Sequence, residues 1–443
     1  MATPRVLIIC TWFPPVNAPG ARRPYHLARS LCDRGWKVCV LTSTPEKATE
    51  PYGKSDDLHI LRTPRTAATH DLNAVQRSLL RAWKATSGSP ANGPLRVLTD
   101  LFLPLRPGLR WDLSPKDIEN AIGPQDVVVA TGPDPAVFET GARLVRHWNA
   151  VWAVDYRDPW NVAIPEVAKD IITHQGTGLA GALRRARMRK LERRYCGPAD
   201  VLTAVSKTFL ANAMMITGHR DGHVIHGGSV RARITRTTDP QGKFILAHTG
   251  QLYPEQPWPL FFDAITRLQQ EAPDLAAQLV VRFVGATSTD LSTMHLLERA
   301  ERGSGLIERM PTVTPDEAIR LQTEADALLQ LALTGRKGYL PVKFLEYLGA
   351  GKPIILLSAE EDEMESALTS TRTGAIVRDA RQLVAHLIAH LEAHRTGHSL
   401  KYAPDERALS AFDYATNMDR WADLLGTALR TRTDRAAQPT SAR

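Results

Sequence analysis

The sequence predicts an α/β protein made of two consecutive domains, each with a parallel sheet. Three observations carry this expectation. Short apolar runs without polar alternation recur along the chain, as strands buried on both faces require. Amphipathic segments of helical period separate them, which is the βαβ pattern. At 443 residues the chain is also longer than one hydrophobic core ordinarily fills.

RVLIIC (5–10) is the first strand, followed by the Pro-rich loop TWFPPVNAPGARR and the helical PYHLARSLCDRG. Pro24 suits the first turn of that helix, where no N–H donor is needed, and Gly35 suits its C-terminal cap. KVCVLT (37–42) is the second strand. The pattern weakens over 43–125, where a mobile excursion is expected around SGSPANGP (87–94). It resumes with the strand DVVVAT, the helix AVFETGARLVRHW and the strands AVWAVD and DVLTAV. A second series follows the polar stretch TRTTDPQG (235–242), with strands FILAHTG, LVVRFVG, ADALLQL and PIILLS. Helices are expected between them, TPDE at 314–317 being a good start because it places acidic groups in the first turn. The expected division is 1–232 and 233–410, then a last helix over 411–430 and a disordered tail over 431–443.

Composition is that of a soluble globular chain, 43% hydrophobic and 23% charged, without an apolar run long enough to span a membrane. The apolar stretch near the start is too short for a signal peptide and reads as a strand. Four cysteines without paired spacing and histidines without ligand spacing speak against a disulfide framework or a zinc site. A cytoplasmic protein is expected. A net charge of +8 points to anionic partners. The absence of G-x-G-x-x-G disfavours a dinucleotide-dependent dehydrogenase.

Several stretches, in order, resemble the GT-B glycosyltransferases, and among them the family 4-like members that build bacterial surface polysaccharides. These are PPVNAPGARR, DVVVATGPDP, VDYRDPWN, LERRYCGPADVLTAVS, FILAHTGQLY, LVVRFVG, ADALLQL and, most specific, PVKFLEYLGAGKPI. The resemblance covers nearly the whole chain. It implies two Rossmann-like domains facing a central cleft, with the C-terminal helix returning to the N-terminal domain. It also implies a nucleotide-sugar donor on the second domain, a lipid-linked or saccharide acceptor on the first, and no cofactor.

On the donor side the resemblance assigns Glu346, in the E-Y-L-x-x-G-K-P pattern, to the two ribose hydroxyls, which one carboxylate can accept together. Lys343 stands one turn earlier, where a diphosphate would meet both a cation and a helix N-terminus. Gly250 ends the first strand of this domain and lets phosphates approach the main chain. Gly285 ends the next strand and reads equally as such a feature or as a turn. Two positions depart from the family. Gly338 stands where many members have an acidic residue that contacts the donor sugar, and GQLYPEQPW lacks the usual basic pair after the glycine. Arg336, Lys337 and Lys343 are the candidate substitutes, since the chemistry requires positive charge rather than one origin for it.

On the acceptor side the candidates are Gly20, Arg22 and Arg23 in the first loop, and Arg157 and Asp158 after the strand AVWAVD. Asp155, within that strand, reads as structural, and His226 reads equally as a linker side chain or a site residue. No general base is evident, which suits a retaining front-face transfer. No Asp-x-Asp pair occurs in a credible cleft loop, so no metal is expected.

ALRRARMRKLERRY (182–195) carries seven basic residues and one acid, Glu192. It reads either as a solvated helix packed through its apolar stripe or as a surface for anionic lipid, with LRVLTDLFLPLRPGLRW (95–111) reaching toward lipid too. The basic residues lack interleaved aromatic platforms, so nucleic acid is not an expected partner. The leading function is sugar transfer from a nucleotide sugar. A nucleotide-sugar epimerase and a non-catalytic sugar-nucleotide-binding protein are the other two classes.

Overall fold

The computed structural model describes residues 3–45, 58–64, 73–85, 113–161, 163, 178–230, 242–358, 360–398 and 402–437. The stretches expected to form a mobile excursion (87–94) and a lipid-directed segment (95–111) lie outside them. The chain divides into two compact units, Met1–His226 with Asn417–Arg443, and Gly227–Thr416.

The first unit holds a seven-stranded sheet. Its strands are β1 (Arg5–Cys10), β2 (Lys37–Ser43), β3 (His59–Thr63), β4 (Val127–Thr131), β5 (Val151–Tyr156), β6 (Val201–Ala204) and β7 (His223–Val224), in the order β3-β2-β1-β4-β5-β6-β7. All neighbours run parallel. β1 and β4 sit centrally, and Val6–Cys10 and Val127–Ala130 form unbroken buried apolar runs, as strands covered on both faces require. The helix after β1 opens at Pro19, earlier than the sequence suggests, and Pro24 lies inside it. Pro19 occupies the first-turn position that needs no N–H. Pro24 then forfeits a single hydrogen bond, the one to Gly20 four residues back. Arg22 and Arg23 are therefore helical residues rather than loop residues. Gly35, with φ of +80°, follows the helix end as expected.

The last helix, Tyr414–Ala437, packs on this first unit through buried Met418, Trp421 and Leu425. Arg34 reaches its Asp419 and Asp423 at 3.1 and 2.6 Å. The expectation of disorder from 431 is corrected, since the helix continues to Ala437. Arg432 there donates to the Asn149 carbonyl at 3.1 Å and approaches Asp200 at 3.4 Å, and between Gly426 and Pro439 the sequence has neither Gly nor Pro.

The second unit holds β8 (Phe244–Thr249), β9 (Leu279–Val284), β10 (Ile307–Met310), β11 (Ala327–Leu331), β12 (Ile354–Leu357) and β13 (Gly374–Val377), in the order β10-β9-β8-β11-β12-β13. With strands counted from β8 this is 3-2-1-4-5-6, and ligands of such sheets bind beyond the carboxyl ends where the order reverses, between β8 and β11. Alternation along β8 sends Phe244 and Leu246 into a core with the helices Trp258–Glu271 and Ala380–Arg395. Ile245 and Ala247 enter the opposite core, with the helix Val342–Gly349. Thr314 caps the helix Pro315–Glu324 by accepting the Glu317 N–H, as TPDE predicts. Among the described residues no helix is long and apolar enough to cross a membrane.

Candidate active site

In the second unit the reversal point gathers Gly250, Lys343 and Glu346. Gly250 follows β8 with φ of +88°, a conformation that a side chain rarely tolerates. Its own N–H is donated to the Val284 carbonyl at 2.8 Å, so the glycine supplies a turn rather than a free donor. The helix Val342–Gly349 begins beside that turn and has no side-chain cap. From its first turn the half-buried Lys343 donates to the Gln251 carbonyl at 3.0 Å and to His248 Nε2 at 3.2 Å, with Nζ 5.9 Å from the centre of the Tyr253 ring. Burial pushes the Lys343 pKa down to about 7, against the opposing pull of Glu346.

Glu346 lies one turn further along the helix. Gln322 Nε2 bridges toward its carboxylate at 3.4 Å and donates to Thr249 Oγ1 at 3.0 Å. The Tyr347 hydroxyl accepts the Thr249 N–H at 2.8 Å. Two helices are thus pinned to the end of β8, and the carboxylate is oriented by an amide from the neighbouring helix.

The loop after β11 carries the other three donor-side candidates. Arg336 pairs with Glu255 at 2.7 Å, which offsets its charge within the loop following β8. The Gly338 N–H is donated to Asp362 Oδ1 at 2.9 Å, and the Gly335 N–H to Glu360 Oε1 at 3.2 Å. Burial holds the Asp362 carboxyl above its usual range, although the Gly338 N–H and the charge of Lys337 oppose this. Gly335 and Gly338 have positive φ, +73° and +87° respectively. Gly285 turns with φ of +66° against Thr312.

In the first unit the candidates separate. Arg23 is 4% exposed and grips Asp155, 1% exposed, through Nε and Nη2 at 2.8 Å each, while Nη1 donates to the His226 carbonyl at 2.7 Å. Thr131 and Thr203 hydroxyls complete the carboxylate's shell at 2.6 and 2.7 Å. Burial alone would raise the Asp155 pKa, but Arg23 and the hydroxyls outweigh it and hold it below the usual range. The reading of Arg23 as a ligand-facing cation is corrected: the fork geometry of its guanidinium ties the first helix to β5. Asp155 is structural, and the His226 ring is turned to the Val205 carbonyl at 2.8 Å. Arg22 lies near the start of the first helix, where its charge adds to the burial that lowers His26 to about 4.

Gly20, Arg157 and Asp158 do meet at the carboxyl end of this sheet. Arg157 lies 5.4 Å over the Trp12 ring and its Nε donates to Asp158 at 3.1 Å. A Cβ on Gly20 would come within 2.0 Å of the Arg157 guanidinium and 2.6 Å of Trp12, so the glycine makes room for these two side chains. Trp12, 38% exposed, is an aromatic face the sequence reading passed over. His248, Gln322 and Asp362 were likewise missed in the second unit. The signal for His248 was an ionisable residue directly after the apolar run FILA, still within the predicted strand FILAHTG.

The basic helix Gly178–Cys196 packs through Tyr195, Cys196 and Glu192. Glu192 is wholly buried and accepts the Tyr156 hydroxyl at 2.7 Å. Burial raises its pKa to about 7 despite hydrogen bonds from Tyr156 and Asn161. With the acid turned inward, the outer side of this helix carries basic residues. Among the described residues no group of three or more His, Cys, Asp or Glu could hold a metal ion.

No protein-family model matches the chain. No curated protein matches it by sequence. Solved structures match it over nearly its whole length at low identity. Sucrose-phosphate synthase from Thermosynechococcus elongatus aligns with 98% of this chain and 100% of its own, with a TM-score of 0.61 and 13% identity. The UDP-forming α,α-trehalose-phosphate synthase from Burkholderia xenovorans covers 98% and 100%, with a TM-score of 0.57 and 12% identity. Anabaena HepE in complex with UDP covers 98% and 99%, with a TM-score of 0.52 and 12% identity. The fold is therefore the one expected, two parallel-sheet α/β domains as in GT-B glycosyltransferases.

Proposed function

We propose that this chain is a glycosyltransferase of the family 4-like type, which moves a sugar from a nucleotide sugar to a lipid-linked or saccharide acceptor in surface-polysaccharide synthesis. The observation that carries the reading is the pair Lys343 and Glu346 on one helix face, set beside the Gly250 turn at the reversal point of the second sheet. A nucleotide diphosphate offers matching groups: vicinal ribose hydroxyls for the carboxylate, and phosphate oxygens for the ammonium and the helix N-terminus.

In this reading Glu346 fixes the ribose, and Lys343 stabilises the charge that grows on the diphosphate as the anomeric C–O bond breaks. The acceptor hydroxyl bonds to the anomeric carbon on the same face, and its proton passes to the departing phosphate oxygen. Configuration is then retained without a protein base. Arg157, Asp158 and Trp12 supply acceptor contacts, an aromatic face being suited to a sugar ring. In this proposal the basic helix brings the enzyme to the inner face of an anionic membrane.

The test is a screen of nucleotide sugars for binding, followed by a transfer assay with lipid-linked and free saccharides. Transfer is expected to persist in excess EDTA. Complete loss on chelation, restored by Mg²⁺ or Mn²⁺, would contradict phosphate neutralisation by Lys343. Conversion of a nucleotide sugar without any acceptor would make the protein an epimerase instead.

A further inference from the structure

We propose that His248 is a positioning residue for donor binding, which holds the Lys343 side chain at the phosphate position so that a nucleotide sugar binds together with one proton. This rests on the donor-site reading above. His248 is 0% exposed, with its ring packed edge-on to Trp258 at 5.3 Å and against Phe283 at 5.8 Å. Nothing in that apolar setting calls for an imidazole. What uses it is the pair of polar contacts at its two nitrogens. Nδ1 lies 3.0 Å from the Leu329 carbonyl, which only accepts, so Nδ1 carries the hydrogen. Nε2 is then a lone pair, aimed at Lys343 Nζ 3.2 Å away.

Alternation along β8 puts the His248 ring on the core face opposite the helix that bears Lys343. The lysine reaches it by passing the turn at Gly250, where the chain bears no side chain. The groups facing Nζ are then the imidazole from β8, the Gln251 carbonyl and the Tyr253 ring from the turn, and Glu346 from its own helix. Two neutral acceptors and an aromatic face keep the amine in place without neutralising its charge by close pairing. Burial lowers Lys343 to about 7 and keeps His248 neutral, well below its ordinary value. A diphosphate arriving beside Nζ raises the lysine pKa again, so binding near neutral pH draws in a proton.

Calorimetric titration of the full chain with UDP-glucose, GDP-mannose, ADP-glucose and dTDP-glucose tests this. Their pyrophosphate diesters do not titrate near neutral pH, so proton uptake reports on the protein. At pH 7.5, heats measured in two buffers of different ionisation enthalpy should show uptake of about 0.7 proton for the sugar nucleotide that binds. Affinity should fall by up to about tenfold per pH unit above 7. Lys343→Met should abolish the uptake and flatten the profile. His248→Phe should weaken binding about tenfold and shift the fall to lower pH, whereas His248→Gln, which keeps an acceptor for the amine, should stay within about threefold of the parent. Binding without proton uptake overturns the inference and leaves the donor site standing, as does uptake that survives in Lys343→Met. Failure of every nucleotide sugar to bind overturns both. If His248→Phe does not fold, the parent, Lys343→Met and His248→Gln still decide the matter.

Discussion

Arg23 and Lys343 both stand near the carboxyl end of a parallel sheet, close to the point where strand order reverses, yet the chain treats them in opposite ways. Arg23 is enclosed with Asp155 in a two-pronged pair, and two threonine hydroxyls complete the carboxylate's shell. Lys343 leans on an imidazole, a carbonyl and an aromatic ring, and burial pulls its pKa toward neutrality. A buried cation matched by a carboxylate belongs to the fold. One held on neutral acceptors at the rim can gain its full charge as an anion arrives. Motif position alone would rank the two equally, and only their partners separate them.

Breaking the first pair should have the largest effect. Arg23→Ala leaves the Asp155 carboxylate buried and unmatched, which is expected to destabilise the first unit by about 3–5 kcal/mol. Chemical denaturation would show it, and nucleotide binding by the protein still folded should be unchanged. A loss of nucleotide affinity with unaltered stability would put Arg23 back among the ligand-binding residues.

Glu192 sharpens the contrast as a buried acid in the first unit without a basic partner in a matched fork. Its folded pKa of about 7 exceeds the unfolded carboxylate value, so the protonated form is favoured by folding. Its contribution is full below the unfolded pKa and is lost as pH rises through about 7. Glu192→Gln should therefore gain stability relative to the parent between pH 5 and pH 8, by about 2 kcal/mol. An equal difference at both pH values would mean that Glu192 remains ionised in the folded protein.

A smaller effect is expected at the surface. Replacing Arg184, Arg185, Arg187 and Arg189 by Gln should reduce binding to anionic vesicles, by up to about 1 kcal/mol for each residue that reaches the lipid, with no change in nucleotide affinity. Binding of the parent should weaken with salt, since screening acts over about 10 Å at 0.1 M. Flotation with neutral and anionic vesicles measures this, and indifference of the parent to anionic vesicles at low salt would make the acceptor a soluble one.

The same split between local and long-range information explains what the sequence could reveal. Nine strands were legible as apolar runs because they are covered on both faces or sit inside their sheets. The four that were missed, β3, β7, β10 and β13, are the four sheet edges. An edge strand pairs on one side only, and segments such as IERM and the two-residue HV carry little apolar signal. Lys343 and Glu346 were legible because they lie three residues apart on one helix. His248 meets Lys343 across 95 positions of sequence, and Asp362 reaches Gly338 from a different strand's loop, so neither contact leaves a local pattern. Arg23 was misread for the same reason, since its partner Asp155 is 132 residues away.

The central proposal is that the rim of the second sheet holds a nucleotide sugar through Glu346. Titrating the four sugar nucleotides into the parent and into Glu346→Ala measures that directly, with melting temperatures recorded in parallel. One of them should bind the parent, and the alanine variant should bind it about a hundredfold more weakly at an unchanged melting temperature, because two hydroxyl-to-carboxylate hydrogen bonds are lost. Equal dissociation constants for parent and variant would remove Glu346 from the site and contradict the donor-binding role assigned to this helix.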